Sequence, residues 1–343
     1  MTNYINKHYI KKTAFIVILV LLPVLAIFIS LFIGRYGVGW QEVIDCLKTG
    51  MGINAGVCSD EALAVVLQLR LPRALAAAMV GAGLAASGGA FQGVFRNPLV
   101  NSGLLGVSNG AGFGAALAII FFGGAFSVYP LAFGFGIIAV ALSYWVARIY
   151  KTVPTVMLIL GGTIVSALFS ALLALLKYLA DPADELPTIV YWLMGSVSAV
   201  GYDDFWAFLP ILLGIVILLV YSWRINVLSM GDKEALSLGV NVKSCKLVII
   251  VAATLSTAGA VCISGVVGWI GLIVPHIGRM IIGNDNRKLL PVSISVGAVF
   301  LVVVDTISRS ISSSEVPLGI LTAIIGAPFF VFLLKKTKGG GWQ

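Results

Sequence analysis

The sequence predicts an all-α membrane protein, a polytopic bundle of about ten transmembrane helices with both termini on the cytoplasmic side. Three observations carry that prediction. Apolar residues make up 59% of the 343-residue chain and mean hydropathy is +1.06, a composition that partitions into lipid. Charged residues are only 10% of the chain, and nearly all lie in short gaps between apolar runs long enough to cross a bilayer. When the runs are threaded alternately from a cytoplasmic N-terminus, the inner gaps hold 16 of the 22 basic residues but only 3 of the 14 acidic ones, which is the positive-inside asymmetry. The pI of 9.4 therefore reports orientation in a membrane and not nucleic-acid binding. The longest polar gaps, 35–69 and 177–203, leave no room for a soluble domain, so residues 1–343 are read as one transmembrane domain.

The elements follow in order. The first apolar run, Thr13 to Ile33, predicts a span near 13–34. Lys7, Lys11 and Lys12 hold its start inside, and with no small-residue cleavage site it reads as a retained helix. The outer segment after it contains WQEVIDCLK, Trp40 to Lys48, a short amphipathic helix. Spans follow near 72–94, 100–123, 127–149 and 155–178. A second amphipathic helix, Glu185 to Met194, carries Tyr191 and Trp192, which suit a membrane interface. The remaining spans lie near 204–222, 246–267, 269–282, 289–309 and 318–334. The eighth is short and contains Pro275, so it is expected to sit partly inside protein, where irregular backbone is tolerated. An even number of spans returns the C-terminus inside, in agreement with Lys335, Lys336 and Lys338. Small-xxx-small pairs (Gly89 and Gly93, Gly106 and Gly110, Gly110 and Gly114) let helix backbones approach in lipid and predict tight packing.

Of the four cysteines, Cys46 and Cys58 share the first outer loop. A bridge between them is open in an oxidising compartment, but spacing alone cannot set pair geometry, and two thiols are the expectation. No Cys/His spacing resembles a metal site, and His276 reads as a hydrogen-bonded structural residue. The chain has no G-x-x-x-x-G-K-[ST] and no H-E-x-x-H, so neither a P-loop nor that zinc-protease motif is present. An ion-gradient-driven secondary transporter is the alternative reading. It would place Asp, Glu or His inside the spans as coupling-ion sites, and the predicted spans hold almost none, Asp305 lying near an end. An intramembrane enzyme would need a titratable or metal cluster that is equally absent from the sequence pattern.

Three groups of residues invite a functional reading. The inner loop Asn226 to Ser244 is the longest polar stretch on its side, with helix formers from Asp232 to Leu238 and a natural stop at Gly239. It is either a docking helix lying along the membrane or a solvated connector. Arg70, Arg73 and Arg309 stand out on an acidic outer side. They bind carboxylates bidentately or snorkel at the surface, and Asp305 precedes Arg309 by one favourable i,i+4 step. In the fifth span, Thr163, Ser166 and Ser170 beside Gly161 and Gly162 make one mildly polar stripe. It is either a pathway wall or a helix–helix packing seam. Lys177, near the outer end of that helix, reads as a snorkelling residue.

Five segments then carry a specific resemblance: LRLPRALAAAMVGAGLAASGGAFQGVFRNPLVNSGLLGVSNGAG (69–112), YWLMGS (191–196), GDKEALSLGV (231–240), GWIGLIVPHIGR (268–279) and PLGILTAIIGAPFFVFLL (317–334). In that order the chain resembles the permease subunit of the type II ATP-binding-cassette importers, the FecCD and cobalamin-importer-like family that takes up iron–siderophores, haem and cobalamin. The resemblance implies the type II importer permease fold and a non-catalytic role. It implies as partners a second copy of the chain, two cytoplasmic ATPase subunits that carry ATP and Mg, and an extracytoplasmic substrate-binding protein above. Cofactors in the chain itself are none.

The resemblance also implies site roles. Gly231, Ala235, Leu238 and Gly239 match the coupling-helix pattern of segment 226–244, with Asp232, Lys233 and Glu234 as rim contacts for the ATPase. Arg70, Arg73 and Arg309 fall where the family presents basic residues to acidic residues of the binding protein. The fifth span, with Gly162, Thr163, Ser166 and Ser170, lines the pathway. Inner gates fall at Asn97 and Leu99 and at Thr155 and Val156, although KTVPTVM departs from the Ser/Thr-rich stretch expected at the second gate. The expected substrate is a ferric siderophore, with cobalamin, haem and oxyanions such as molybdate as alternatives.

Overall fold

The structure, a computed structural model, describes residues 2–53, 56, 58–123, 125–148, 154–312 and 314–336. Lys151 and Lys338, counted above among the inner-side charges, lie outside the described residues, as do the side chains of Lys7, Lys11, Lys12 and Lys336. Among the described residues every regular element is a helix. α1 (Thr2–Phe32) leads to α2 (Trp40–Gly50) and α3 (Asp60–Leu63), and a π-helical stretch, Ala64–Arg70, runs into α4 (Leu71–Phe95). Next come α5 (Val107–Phe122), α6 (Ala125–Ala147), α7 (Thr155–Leu179) and α8 (Glu185–Met194). A 3-10 turn, Tyr202–Phe208, opens α9 (Leu209–Val220), followed by α10 (Ser222–Met230) and α11 (Asp232–Ser237). The chain ends with α12 (Val242–Ser264), α13 (Ile270–Ile282), α14 (Asn286–Ile311) and α15 (Leu318–Lys336).

Seven helices are long and apolar enough to cross a membrane, and three shorter apolar ones, Val107–Phe122, Ile270–Ile282 and Leu318–Phe332, coincide with the third, eighth and tenth expected spans. The bundle is organised around α4. Its apolar window is 89% buried, against 78% for α12, 61% for α14, 28% for α7 and 11% for α1. The cause is composition: α4 is built largely of Ala and Gly, so neighbouring backbones can touch it. A Cβ on Gly81 would meet the carbonyl of Gly297 on α14, and one on Gly88 that of Gly271 on α13. Gly110 and Gly114 do the same for α5 against Phe135 and Leu131 of α6. The exposed apolar faces of α1 and α7 are left for lipid or another chain.

The structure departs from the expected elements in three places. The third span does not begin at 100. Residues 97–106 are a turn-rich loop, because Asn97 Oδ1 accepts from Leu99 N at 2.9 Å and Asn101 Oδ1 from Gly103 N at 3.1 Å, local bonds that compete with a helix. The loop from Asn226 is largely helical, since Ile225, Val227 and Leu228 bury their side chains and hold α10 against the bundle. The two outer cysteines are not thiols: Cys46 and Cys58 are bridged, with their Cα atoms 5.5 Å apart, well inside disulfide range. The return of the chain from α2 to α3 supplies the geometry that spacing alone could not.

That bridge closes a cap in which Val43, Cys46, Ala62 and Val66 pack on Leu31. Cys46→Ser is expected to cost the cap about 2–3 kcal/mol through the freed loop. A thermal melt in detergent checks this: wild-type protein should lose several degrees on adding reductant, and the variant should start lower and not respond.

Candidate functional site

The sequence-predicted site residues fall into two clusters at opposite ends of the bundle and one helix face between them. One end carries Arg96, Lys233 and Lys246 and is called the basic end; the other carries Glu42, Asp184 and Glu315 and is called the acidic end.

At the basic end α10 and α11 form a tight hairpin about Gly231, whose φ of +141° is a conformation that L side chains rarely adopt. Ala235 is fully buried, and Val240 N donates to its carbonyl at 3.0 Å, so the chain folds back after Gly239. Gly231 and Ala235 thus face inward and shape the hairpin. Its outer surface presents Lys233, Glu234 and Gly239, flanked by three large apolar side chains, Met230 at 62% exposure, Leu236 at 62% and Leu238 at 57%. Met230 and Leu236 were not among the residues singled out from sequence. Their signal was available, since an apolar residue on the polar side of a short amphipathic helix wants a partner.

The hairpin is fastened at two points. Asn226 Nδ2 donates to Asp285 Oδ1 at 2.6 Å, and Asn226 Oδ1 accepts from Asn286 N at 2.7 Å, which ties α10 to the start of α14. Bonds from the Arg287 guanidinium, then from Asn226, hold the Asp285 carboxyl down at about 2, so this fastening persists well below neutral pH. The second is Lys246 on α12. It is 4% exposed, and its Nζ lies 2.7 Å from Asp232 Oδ2 and 3.5 Å from Thr155 Oγ1. A cavity of about 690 Å³ opens beside it, between Tyr144, Pro154, Asp232, Leu236 and Val242.

The four gate residues sit on two elements at this end. Asn97 caps its own loop, and Leu99 is exposed beyond it. Thr155 and Val156 begin α7, and Val156 is exposed. Gln92, unnoticed in the sequence reading, holds the first pair: its Nε2 donates to Val100 O at 3.0 Å and Gly271 O at 3.2 Å, and its Oε1 accepts from Arg279. A lone buried amide in an otherwise apolar span was the clue.

On α7 the expected polar stripe divides. Thr163 and Ser170 are exposed along a face shared with Ala167, Ala171 and Ala174. Ser166 turns toward α5, where Asn109 Nδ2 donates to its carbonyl at 3.1 Å and its hydroxyl abuts Gly106. Gly162 is buried against the Leu104 carbonyl.

At the acidic end Arg70, Arg73 and Arg309 converge, and all three are buried. Arg70 donates to the carbonyls of Leu31 and Tyr36, and Arg309 to that of Ser30. Arg73 lies between two carboxylates, 2.8 Å from Asp305 and 2.9 Å from Glu315. Arg309 reaches Asp305 at 3.9 Å, one helical turn away. The three arginines line an open cavity of about 520 Å³ with Arg35, Tyr191 and Glu315. Asp305 is thus the shared counter-ion of two buried cations. Asp305→Ala takes the carboxylate away from Arg309 and leaves Arg73 with Glu315 alone, and should cost about 3–5 kcal/mol. The check is a drop in melting temperature larger than that of Glu315→Ala, whose carboxylate is partly solvated.

The FecCD transport family matches residues 20–336. The molybdate import system permease protein MolB of Haemophilus influenzae is 44% identical over 330 residues, covering 94% of this chain and 96% of that one. The cobalamin import system permease protein BtuC of Halobacterium salinarum is 41% identical over 285 residues, covering 81% of this chain and 75% of its own length. A solved structure described as an inward-facing metal-chelate-type ABC transporter superposes with a TM-score of 0.82 at 43% identity, covering 94% of this chain and 98% of that one.

Proposed function

The chain belongs to the FecCD transport family, and on that premise we propose that it is the membrane-spanning subunit of an ATP-binding-cassette importer. In this reading a pair of copies moves a metal-containing substrate across a prokaryotic inner membrane, and the chain itself has no catalytic role. The observation that carries the reading is the α10–α11 hairpin, an anchored helical knob exposing Met230, Leu236 and Leu238 at the basic end. A rigid knob with an apolar tip and charged rim is what a partner must grip to move a membrane domain mechanically. Two ATPase subunits, which hold ATP and Mg, dock there on the cytoplasmic side, with Lys233 and Glu234 at the rim. The Cys46–Cys58 bridge supports putting the acidic end in an oxidising compartment.

The arginine-lined cavity at that end is the docking place for an extracytoplasmic binding protein; Arg70, Arg73 and Arg309, buried and bonded inside the chain, hold its walls rather than reach the partner. The exposed small-residue face of α7, with Thr163 and Ser170, walls a pathway formed with the second copy. Hydroxyls and methyls there let a polar substrate slide without holding it. Leu99 and Val156 close its cytoplasmic mouth.

The nearly full-length 44% identity to a molybdate permease moves the favoured substrate from a ferric siderophore to an oxyanion of the molybdate type. A ferric chelate or cobalamin is the second reading, supported by the 41% identity to a cobalamin permease. The test is uptake of radioactive molybdate, and separately of a ferric hydroxamate, into proteoliposomes holding the assembled importer. Uptake that needs enclosed ATP and added binding protein supports the reading, and the substrate taken up decides between the two. Uptake driven by an imposed proton or sodium gradient without ATP would overturn it.

A further inference from the structure

Lys246 stands where three helices, α7, α11 and α12, meet, and the fold alone does not call for an ammonium there. It is 4% exposed on α12, one of the most enclosed helices of the bundle. A buried lysine is costly unless paired, and an apolar side chain of similar length would avoid that cost. Its two polar contacts lead to different elements: Asp232, the first residue of α11, at 2.7 Å and Thr155, the first residue of α7, at 3.5 Å. The first is a close ion pair. The second is at the outer limit of a hydrogen bond, so the ammonium is committed to α11 and within reach of α7.

We propose that Lys246 is a positioning residue that transmits displacement of α11 to the first turn of α7. The inference rests on the reading of α11 as the element gripped by the ATPase. α12 is the fixed post. Asp232 is 44% exposed at its side chain and can follow its helix, and the cavity beside it gives α11 room to move without unpacking the core. A lysine ammonium has three donors on a flexible stem, so it can shift its weight between Asp232 and Thr155 as α11 moves. When α11 is drawn away from α12, the ammonium turns to Thr155 and pulls in the end of α7 that carries Val156. When α11 returns, Asp232 recaptures it and releases that end. Neither α11 nor α7 contributes a side chain that bonds the other directly among the described residues, so the lysine is the polar link between them.

The experiment compares wild-type, Lys246→Met, Lys246→Arg and Asp232→Asn in the complete importer in proteoliposomes. It reads the ratio of molybdate, or of ferric hydroxamate if that is what the wild type carries, imported per ATP hydrolysed. Lys246→Met is expected to lower this ratio about tenfold, within the range of ordinary inter-site coupling, with the ATPase still bound. Lys246→Arg should restore most of it, and Asp232→Asn, on an exposed side chain, should lower it similarly. The Lys246→Met, Asp232→Asn double variant should be no worse than either single one. A ratio equal to wild type in both Lys246→Met and Asp232→Asn, even with reduced yield, would make the lysine merely structural and overturn the inference. In that case the wild-type importer still couples ATP to uptake and the proposed function stands. If Lys246→Met does not assemble, Asp232→Asn decides by the same ratio. A wild-type chain that binds no ATPase would remove both.

Discussion

Gly88→Val is expected to prevent the bundle from forming. A Cβ at this position would overlap the carbonyl oxygen of Gly271 and lie 2.5 Å from its carbonyl carbon, and both are backbone atoms that no rotamer change can move. α4 would have to separate from α13 along a buried seam, and the lost contacts are not replaced by any hydrophobic gain in lipid. Overpacking of an ordinary core costs about 1–3 kcal/mol. Here the whole helix pair must part, so the effect should exceed roughly 3 kcal/mol. Size-exclusion of a fluorescent fusion from membranes is the check: the variant should run in the void volume or be absent. Gly134→Ala is the matched control. It lies in α6, and beyond its own stretch of helix backbone nothing lies within 4 Å of the added methyl, so it should elute as wild type. A monodisperse Gly88→Val peak would show that α4 and α13 do not meet as described.

The second large effect is expected at the hairpin. Leu236→Glu with Leu238→Glu removes two apolar side chains that are more than half exposed and places carboxylates in the proposed ATPase groove. Each leucine, once buried in a partner, is worth about 1.5–3 kcal/mol. The pair should therefore weaken ATPase binding by roughly two to four orders of magnitude. Because both side chains are mostly exposed in the chain, yield and melting temperature should stay close to wild-type values. Lys233→Ala, a rim charge, should change binding by no more than about fivefold. Titration of detergent-solubilised protein with labelled ATPase reads the difference. Equal affinities for the leucine pair and wild type would move the ATPase contact elsewhere.

Local pattern carried much of this in the sequence. The apolar runs mark the long helices because each must satisfy its own backbone in lipid, and the short helices at Trp40, Glu185 and Asp232 were legible from amphipathicity and capping. What pattern could not show are relations between distant residues. Arg73 pairs with Asp305 across 232 positions, and no periodicity announces that. The arginines could be placed at one end from charge asymmetry, but not shown to be tied inside the chain. The Cys46–Cys58 bridge depended on a turn whose geometry the loop composition did not set. Residues 100–106 looked like the start of a span because hydropathy averages over Asn101, whose side chain binds the local backbone and stops a helix there. Exposure divided the α7 stripe in the same way. A three-and-four spacing puts Thr163, Ser166 and Ser170 on neighbouring rows, and only packing against α5 decides that Ser166 belongs to a seam.

The central claim is that this chain is driven by a partner that grips its basic end. Native mass spectrometry on the tagged chain, gently extracted from its own membrane, tests that most directly. The account predicts a complex of two copies with two soluble ATPase subunits, lost in the Leu236→Glu, Leu238→Glu variant. A bare monomer or homodimer of the wild-type chain, persisting across mild detergents and lipid nanodiscs, would contradict it and return the gradient-driven transporter to first place.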